Sequence, residues 1–340
     1  MNYAEQIARE LSLSPQNVQG AIDLIDAGNT IPFIARYRKE ATGSMDDQAL
    51  RALGDRLEYL RGLDKRKAEV EASIAEQGAL TSELARSIAA AQTLAEVEDL
   101  YRPYKPKRKT RASVARARGL PPLADAIFAQ DASFDPAAAA AAYLGDEVPD
   151  AAAALAGAQD ILAEQISDDA RCRAELRRYY QAFGQIKSTQ AKQEDSVYAP
   201  YYDASEPLAK IPGHRVLALD RGEREGYLKV SITVDAERAA AITAWMFARK
   251  KTGGASALLV EAAARDAYTR LIHSSLENEL RAALTARADE GAIAVFGDNL
   301  RQLLLQPPIP GKVVLGLDPG YRMGCKLAVV DPTGKVLDTG

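Results

Sequence analysis

From Asp46 onward, Leu50, Leu53, Leu57, Leu60 and Leu63 recur three and four positions apart, and Val70 and Ile74 prolong the stripe. Residues so spaced share one face of an α-helix, whereas a strand sends successive side chains to opposite faces. The pattern predicts one long amphipathic helix, interrupted at Gly78, and commits the chain to a mainly helical architecture. Such a stripe either packs inside its own chain, its commoner use, or pairs with a partner protein.

Shorter helices are expected on both sides. Residues 2–12 read as one, and Ser14-Pro15 supplies an N-cap and a first-turn proline for a second, with Val18, Ile22 and Ile25 on one face. Gly28-Asn29 ends that helix, and Thr30-Ile31-Pro32 opens another through Phe33, Ile34 and Tyr37. The arrangement is helix-turn-helix-like: either a nucleic-acid-docking motif or an ordinary helical hairpin. Residues 81–92 and 94–101 read as two more helices, stopped by Pro103 and Pro106, because proline cannot donate the next helical hydrogen bond. Residues 120–195 are alanine-rich and helical and read as a spacer.

After Ser196 the pattern changes. An apolar run at 216–219 and an alternating stretch at 227–234, with Leu228, Val230, Ile232 and Val234 on one face, predict a hairpin in a small mixed subdomain. Helical patterns return at 239–251 and 256–288, and Asp298 is placed to cap a last helix ended by Pro307, Pro308 and Pro310. Strands are expected at 312–317, 325–330 and 335–337, joined by turns at Asp318-Pro319-Gly320-Tyr321 and Asp331-Pro332-Thr333-Gly334. Three short strands are too few to cover both faces of a sheet, so they read as the start of a domain cut off at Gly340. The expected fold is therefore mainly α and multidomain. It comprises a helical region over 1–195, a mixed hairpin and long-helix region over 196–310, and the first strands of a truncated α/β domain over 311–340.

Composition excludes several classes of function. No apolar run approaches the roughly 20 residues of a membrane span, and the N-terminus lacks the basic start and apolar middle of a secretion signal, which predicts a cytoplasmic protein. Cys172 and Cys325 stand far apart without companions, so they predict buried thiols and neither a disulfide framework nor a zinc ribbon. His214 and His273, the two histidines, have no metal-ligand spacing. Lys250-Lys251-Thr252-Gly253-Gly254 lacks the spaced glycine of a phosphate loop, and no dinucleotide fingerprint is present. No cofactor, no metal and no enzymatic activity are expected.

The charge distribution is more informative than its sum. A formal net charge of -4 argues mildly against a polyanionic partner, yet residues 101–118 hold eight Lys or Arg and no acid. Arg102, Lys105, Lys107, Arg108, Lys109 and Arg111 can neutralise phosphates, and Tyr101 and Tyr104 can stack on exposed bases, in a contact blind to sequence. Arg36, Arg38 and Lys39 form a second, smaller patch. The alternative is that these cations pair with acids elsewhere or dock another domain. Arg171, Arg173, Arg177 and Arg178 read as a solvated ionic face balanced by Glu164, Asp168, Asp169 and Glu175.

Four segments in order, TIPFIARYRKE at 30–40, LYRPYKPKRKTRA at 100–112, SEPLAKIPGHRVLALDRGEREGYLKV at 205–230 and NLRQLLLQPPIPGKVVLGLDPGYRMGCKLAVVD at 299–331, resemble the Tex family. The resemblance implies a multidomain bacterial protein linked to transcription. Such proteins begin with a helical region containing a helix-turn-helix, followed by a YqgF-type RNase H-like domain, helix-hairpin-helix segments and an RNA-binding OB-fold domain. The segment GLDPGYRMG at 316–324 also resembles the first catalytic strand of RuvC-like resolvases, which makes Asp318 a candidate metal ligand. Two-metal cleavage needs several carboxylates around cations roughly 4 Å apart, and Asp331 and Asp338 fall in turn or edge positions, so the plainer role for Asp318 is to stabilise its turn. The expected function is an N-terminal scaffold of a transcription accessory protein that binds RNA or DNA without sequence preference, with the transcription machinery as a further partner and no membrane. The alternatives are a protein-interaction scaffold and, if missing residues completed the site, a metal-dependent nuclease.

Overall fold

The computed structural model describes residues 2–249, 254–307, 309–320 and 324–340. Lys250–Gly253, where the phosphate-loop comparison fell, lie outside the described residues, as do Pro308 and Tyr321–Met323 of the Asp-Pro-Gly turn.

Helices dominate, as the leucine spacing requires. The chain opens with α1 (Tyr3–Leu11), α2 (Pro15–Asp26), α3 (Ile31–Tyr37), α4 (Lys39–Thr42) and the 30-residue α5 (Asp47–Glu76). Asp46 caps α5 by accepting a hydrogen bond from the Ala49 amide at 2.8 Å, and every residue of the leucine stripe is buried. The stripe serves two cores within its own chain. Leu50, Leu53, Leu57 and Leu60 pack with Ile7, Val18, Ile22 and Ile34 of α1–α3. Leu63, Val70 and Ile74 pack with Ile88 and Val97 of α6 (Ser82–Ala90) and α7 (Leu94–Tyr101).

The alanine-rich region is a core and not a spacer. After α8 (Arg111–Ala117) it forms α9 (Pro121–Ala129), α10 (Pro136–Ala140), α11 (Ala151–Asp168) and α12 (Ala170–Phe183). Helix α11 packs against α8, α9 and α10 and buries Ala154, Ala158, Ile161, Leu162 and Ile166. Small side chains allow that approach: a Cβ on Gly157 would lie 2.4 Å from Leu120 Cδ1.

Next come β1 (Gln185–Gln190), β2 (Ala204–Pro207), α13 (Gly213–Arg224) and β3 (Leu228–Thr233). The small subdomain contains a hairpin, but its strands are β1 and β2, and β3 joins β1 on the other side in the antiparallel order β2-β1-β3, with Ile186 opposite Ile232. The apolar run at 216–219 is helical because Val216, Leu219 and Gly222 are buried three residues apart on one face of α13. Then follow α14 (Ala236–Phe247) and α15 (Gly254–Asp266), and a π-helical segment, Ala267–Ile272, leads into α16 (His273–Leu304). Asp298 lies inside α16 and starts no new helix. The last elements, β4 (Val314–Asp318), β5 (Lys326–Val330) and β6 (Val336–Thr339), form an antiparallel sheet in that order, with Leu315, Leu317, Val336 and Leu337 exposed.

The chain divides into two compact units, Met1–Ala182 with Val234–Leu276, and Phe183–Thr233 with Glu277–Gly340. Each is assembled from two separate stretches, a division that contiguous segments read from composition cannot express. Within the first, α11 packs on α15. Within the second, Glu277 of α16 accepts a hydrogen bond from the Ile232 amide at 2.8 Å, and Arg281 bridges Asp220 and Glu223 of α13. Among the described residues no helix is long and apolar enough to cross a membrane.

Candidate nucleic-acid interface

The basic segment connects α7 to α8 in the first unit. A short 3₁₀ turn, Arg102–Tyr104, follows α7, and Thr110 starts α8 through a capping box with Ser113: its hydroxyl accepts from the Ser113 amide at 3.0 Å, and the Ser113 hydroxyl oxygen accepts from the Thr110 amide at 2.8 Å. The start of the segment is pinned as well, since Gln77 Nε2 donates to the Tyr104 carbonyl at 3.1 Å and the Tyr101 hydroxyl lies 2.9 Å from Ser73 Oγ.

Anchoring turns the inner half of the segment toward carboxylates. Lys105 pairs with Glu98, which also binds Arg66 at 2.7 Å, and Lys105 and Arg66 both lie over the Tyr101 ring. Lys107 pairs with Asp168 and lies 3.4 Å from Glu164, while Arg102 reaches Asp168 at 3.4 Å. Glu164 also accepts from Arg116 and from the Thr110 hydroxyl, the latter at 3.0 Å. A cavity of about 480 Å³ beside these acids is lined by Pro103, Lys107, Arg116, Glu164 and Asp168 among others.

These contacts set the carboxylates apart. Burial pushes the Glu164 carboxyl up, but the Arg116 hydrogen bond, Lys107 and Thr110 outweigh it and hold the group below the usual glutamate range. One turn later, burial of Asp168 prevails over Lys107 and Arg102 and holds that carboxyl above the usual aspartate range. For Glu98, burial is again overcome, by Arg66 and Lys105, and the shift is downward.

Of the residues expected to meet phosphate, Arg102, Lys105 and Lys107 are thus engaged inside the protein. Tyr101 and Tyr104 are partly buried against the second α5 core, and Arg66 and Lys105 lie over the Tyr101 ring. Their aromatic surface is worth more buried beside Val97 and Ile88 than in water. Arg108, Lys109 and Arg111 are exposed and make no ion pair among the described residues, though the Arg111 charge is felt at Asp160. The segment therefore has a neutralised inner half and an open outer half.

The second patch is open throughout. Arg36, Arg38 and Lys39 are exposed at the end of α3 and the start of α4, and none makes an ion pair among the described residues. Sequence reasoning passed over their neighbours Phe33 and Tyr37, which are exposed beside them. The signal was present, because Ile31, Ile34 and Ala35 occupy one helical face and leave 33 and 37 on the other.

The arginines of α12 depart from the solvated face expected of them. Arg173 is 2 % exposed and donates to Asp99 at 2.5 Å, and Arg177 reaches the other oxygen of Asp99 at 2.7 Å. Asp99, on α7, supplies a partner that lay outside the local charge pattern. Arg171 and Arg178 pair as expected, with Asp169 and Glu175. His273 is held inside its unit by the Tyr180 hydroxyl, 2.6 Å from Nδ1. Cys172 is buried, whereas Cys325, expected to be buried, is exposed.

Asp318 closes β4, opposite Lys326, and is exposed. The carboxylate that organises a turn is Asp331, which accepts from the amides of Thr333 and Lys335 at 2.8 and 3.0 Å and from the Thr333 hydroxyl at 2.7 Å. Among the described residues no three His, Cys, Asp or Glu side chains gather closely enough to hold a metal ion.

Comparison with known proteins assigns these regions. Residues 1–75 match the Tex-like protein N-terminal domain, residues 131–296 the Tex central region, and residues 312–340 the Tex protein YqgF-like domain. The basic segment lies between the first two matches. Protein tex of Bordetella pertussis is 45% identical over 351 residues, covering 98% of this chain and 44% of that protein. Transcriptional accessory protein Tex of Neisseria gonorrhoeae is 43% identical over 347 residues, covering 100% of this chain and 46% of that protein. S1 RNA-binding domain-containing protein 1 of Homo sapiens is 29% identical over 359 residues, covering 100% of this chain and 36% of that protein. The chain spans less than half the length of these relatives, and with matches to three successive Tex regions it belongs to the Tex family of transcription accessory proteins.

Proposed function

We propose that this chain acts in the cytoplasm as a non-enzymatic scaffold that gives a transcription accessory protein a sequence-independent contact with RNA or DNA. The observation that carries the reading is the open outer half of the basic segment, where Arg108, Lys109 and Arg111 stand exposed with no carboxylate paired to them among the described residues. Cations held on a capped and anchored connection exchange condensed counterions for phosphate at small entropic cost. The open patch at Arg36, Arg38 and Lys39 adds to the same field. The names of two relatives, a transcriptional accessory protein and an S1 RNA-binding domain-containing protein, agree with this class of partner. Further contacts with the transcription machinery belong to the same proposal.

Binding curves over a salt series test it. Reversing Arg108, Lys109 and Arg111 to Glu is expected to weaken binding and to lower the slope of log affinity against log salt by up to about 2.7 on duplex DNA and about 2.1 on a single strand, at roughly 0.9 and 0.7 per contact. An unchanged slope would leave a protein-interaction scaffold as the better account. Mg²⁺-dependent cleavage that disappears in Asp318→Ala would instead make the protein a nuclease.

A further inference from the structure

We infer that the outer face of α3 is a stacking platform for single-stranded nucleic acid, on which Phe33 and Tyr37 receive unstacked bases while Arg36, Arg38 and Lys39 take the adjoining phosphates. The inference rests on the nucleic-acid reading above and gives it a substrate class.

Helix α3 is committed to the core by one side only. Ile34 is fully buried, and Ile31 and Ala35 pack against the same cluster. Phe33 and Tyr37, four residues apart, lie on the opposite side at 37% and 57% exposure, with ring centroids 5.2 Å apart and planes inclined at 48°. A guanidinium attends each ring: Arg38 lies 5.7 Å from the Phe33 centroid and Arg36 5.9 Å from that of Tyr37. Pairing between aromatic residues one turn apart accounts for the ring geometry. It does not account for two guanidiniums set over the rings, with exposed Lys39 next in the chain, while Glu40, the one acid among residues 30–40, forms no ion pair among the described residues.

Apolar rings fringed by uncompensated positive charge complement a ligand with flat apolar faces on a polyanionic chain. Bases in a duplex have both faces covered by their neighbours, so only an unpaired strand can offer them. An acidic protein partner would meet the cations but leave the ring faces without a matching surface.

The test uses the 340-residue chain and three fluorescent probes: a short pyrimidine RNA, the corresponding DNA strand, and the duplex of that strand. The wild type is expected to bind the single strands more tightly than the duplex. Phe33→Ala with Tyr37→Ala should lose at least about tenfold in affinity for both single strands, the lower range of base–aromatic stacking, with duplex binding unchanged. Phe33→Tyr with Tyr37→Phe should retain the wild-type preference, and unchanged thermal unfolding of the alanine variant shows that the fold persists. Single-strand affinity unaffected by the alanine pair, or an equal loss on strand and duplex, overturns the stacking platform. In either case the nucleic-acid reading survives if reversal of Arg108, Lys109 and Arg111 still weakens binding. Failure of all three probes to bind the wild type overturns both.

Discussion

Lys107 turns back onto Asp168, 61 positions further along the chain, and forms an ion pair with it at the last residue of α11. A cation that composition offers to phosphate is thereby already satisfied. The same carboxylate holds Arg102, so one buried acid removes two charges from the surface a polyanion can reach.

Removing that acid should reverse the effect. Asp168→Asn is expected to weaken the hold on Arg102 and on Lys107, which keeps Glu164 as a neighbour, to raise affinity for nucleic acid at low salt, and to steepen the salt dependence by up to about 2 in the log–log slope. A salt series on wild type and variant checks this. A lower affinity with an unchanged slope would show that the two cations do not compete for phosphate.

Acid stability should carry the opposite shifts of neighbouring carboxylates. Glu98 and Glu164 are held below the ordinary range, so their contribution is complete above the unfolded glutamate value, near about 4.3, and is lost as pH falls through their folded values. Asp168 is held above its ordinary range, so the folded state keeps its proton more tightly and this residue's contribution declines as pH rises from the unfolded to the folded value. Thermal unfolding midpoints followed from about pH 6 down to pH 3 should therefore fall, less steeply in Glu98→Gln and more steeply in Asp168→Asn.

Asp99 is buried and bound between Arg173 and Arg177. Asp99→Ala removes a buried carboxylate to which both Arg173 and Arg177 donate and is expected to lower stability by about 3–5 kcal/mol, read as a shift in urea midpoint. Reversing the exposed Arg178–Glu175 pair should change it by no more than about 1 kcal/mol.

The two thiols should separate cleanly. Burial pushes the Cys172 thiol up to about 12, while Cys325 is exposed. A chromogenic disulfide reagent at mildly alkaline pH is expected to modify Cys325 in the folded protein, and Cys172 only after denaturant is added. Equal rates for both would show that Cys172 is reachable from solvent.

Local periodicity made the helical half of the fold legible. The stripe from Leu50 to Ile74, the start of its helix after Asp46 and the stop after Tyr101 depend on residues a few positions apart, and they stand where spacing placed them. Elements whose identity rests on distant partners were harder to read. β1 carries no apolar alternation of its own strength and exists because β2 and β3 pair with it, and 216–219 is helical because α13 needs a buried face. The candidate site divides in the same way. Its charge run was plain in residues 101–118, since counting cations needs no coordinates. Which of them remain open was decided by Glu98, Glu164 and Asp168, and the value of α3 by which of its faces met the core. A sequence determines which side chains share a helical face because that geometry repeats every turn. Only tertiary structure determines which charges are spent, because Coulomb pairing and burial depend on distances between residues that lie far apart in the chain.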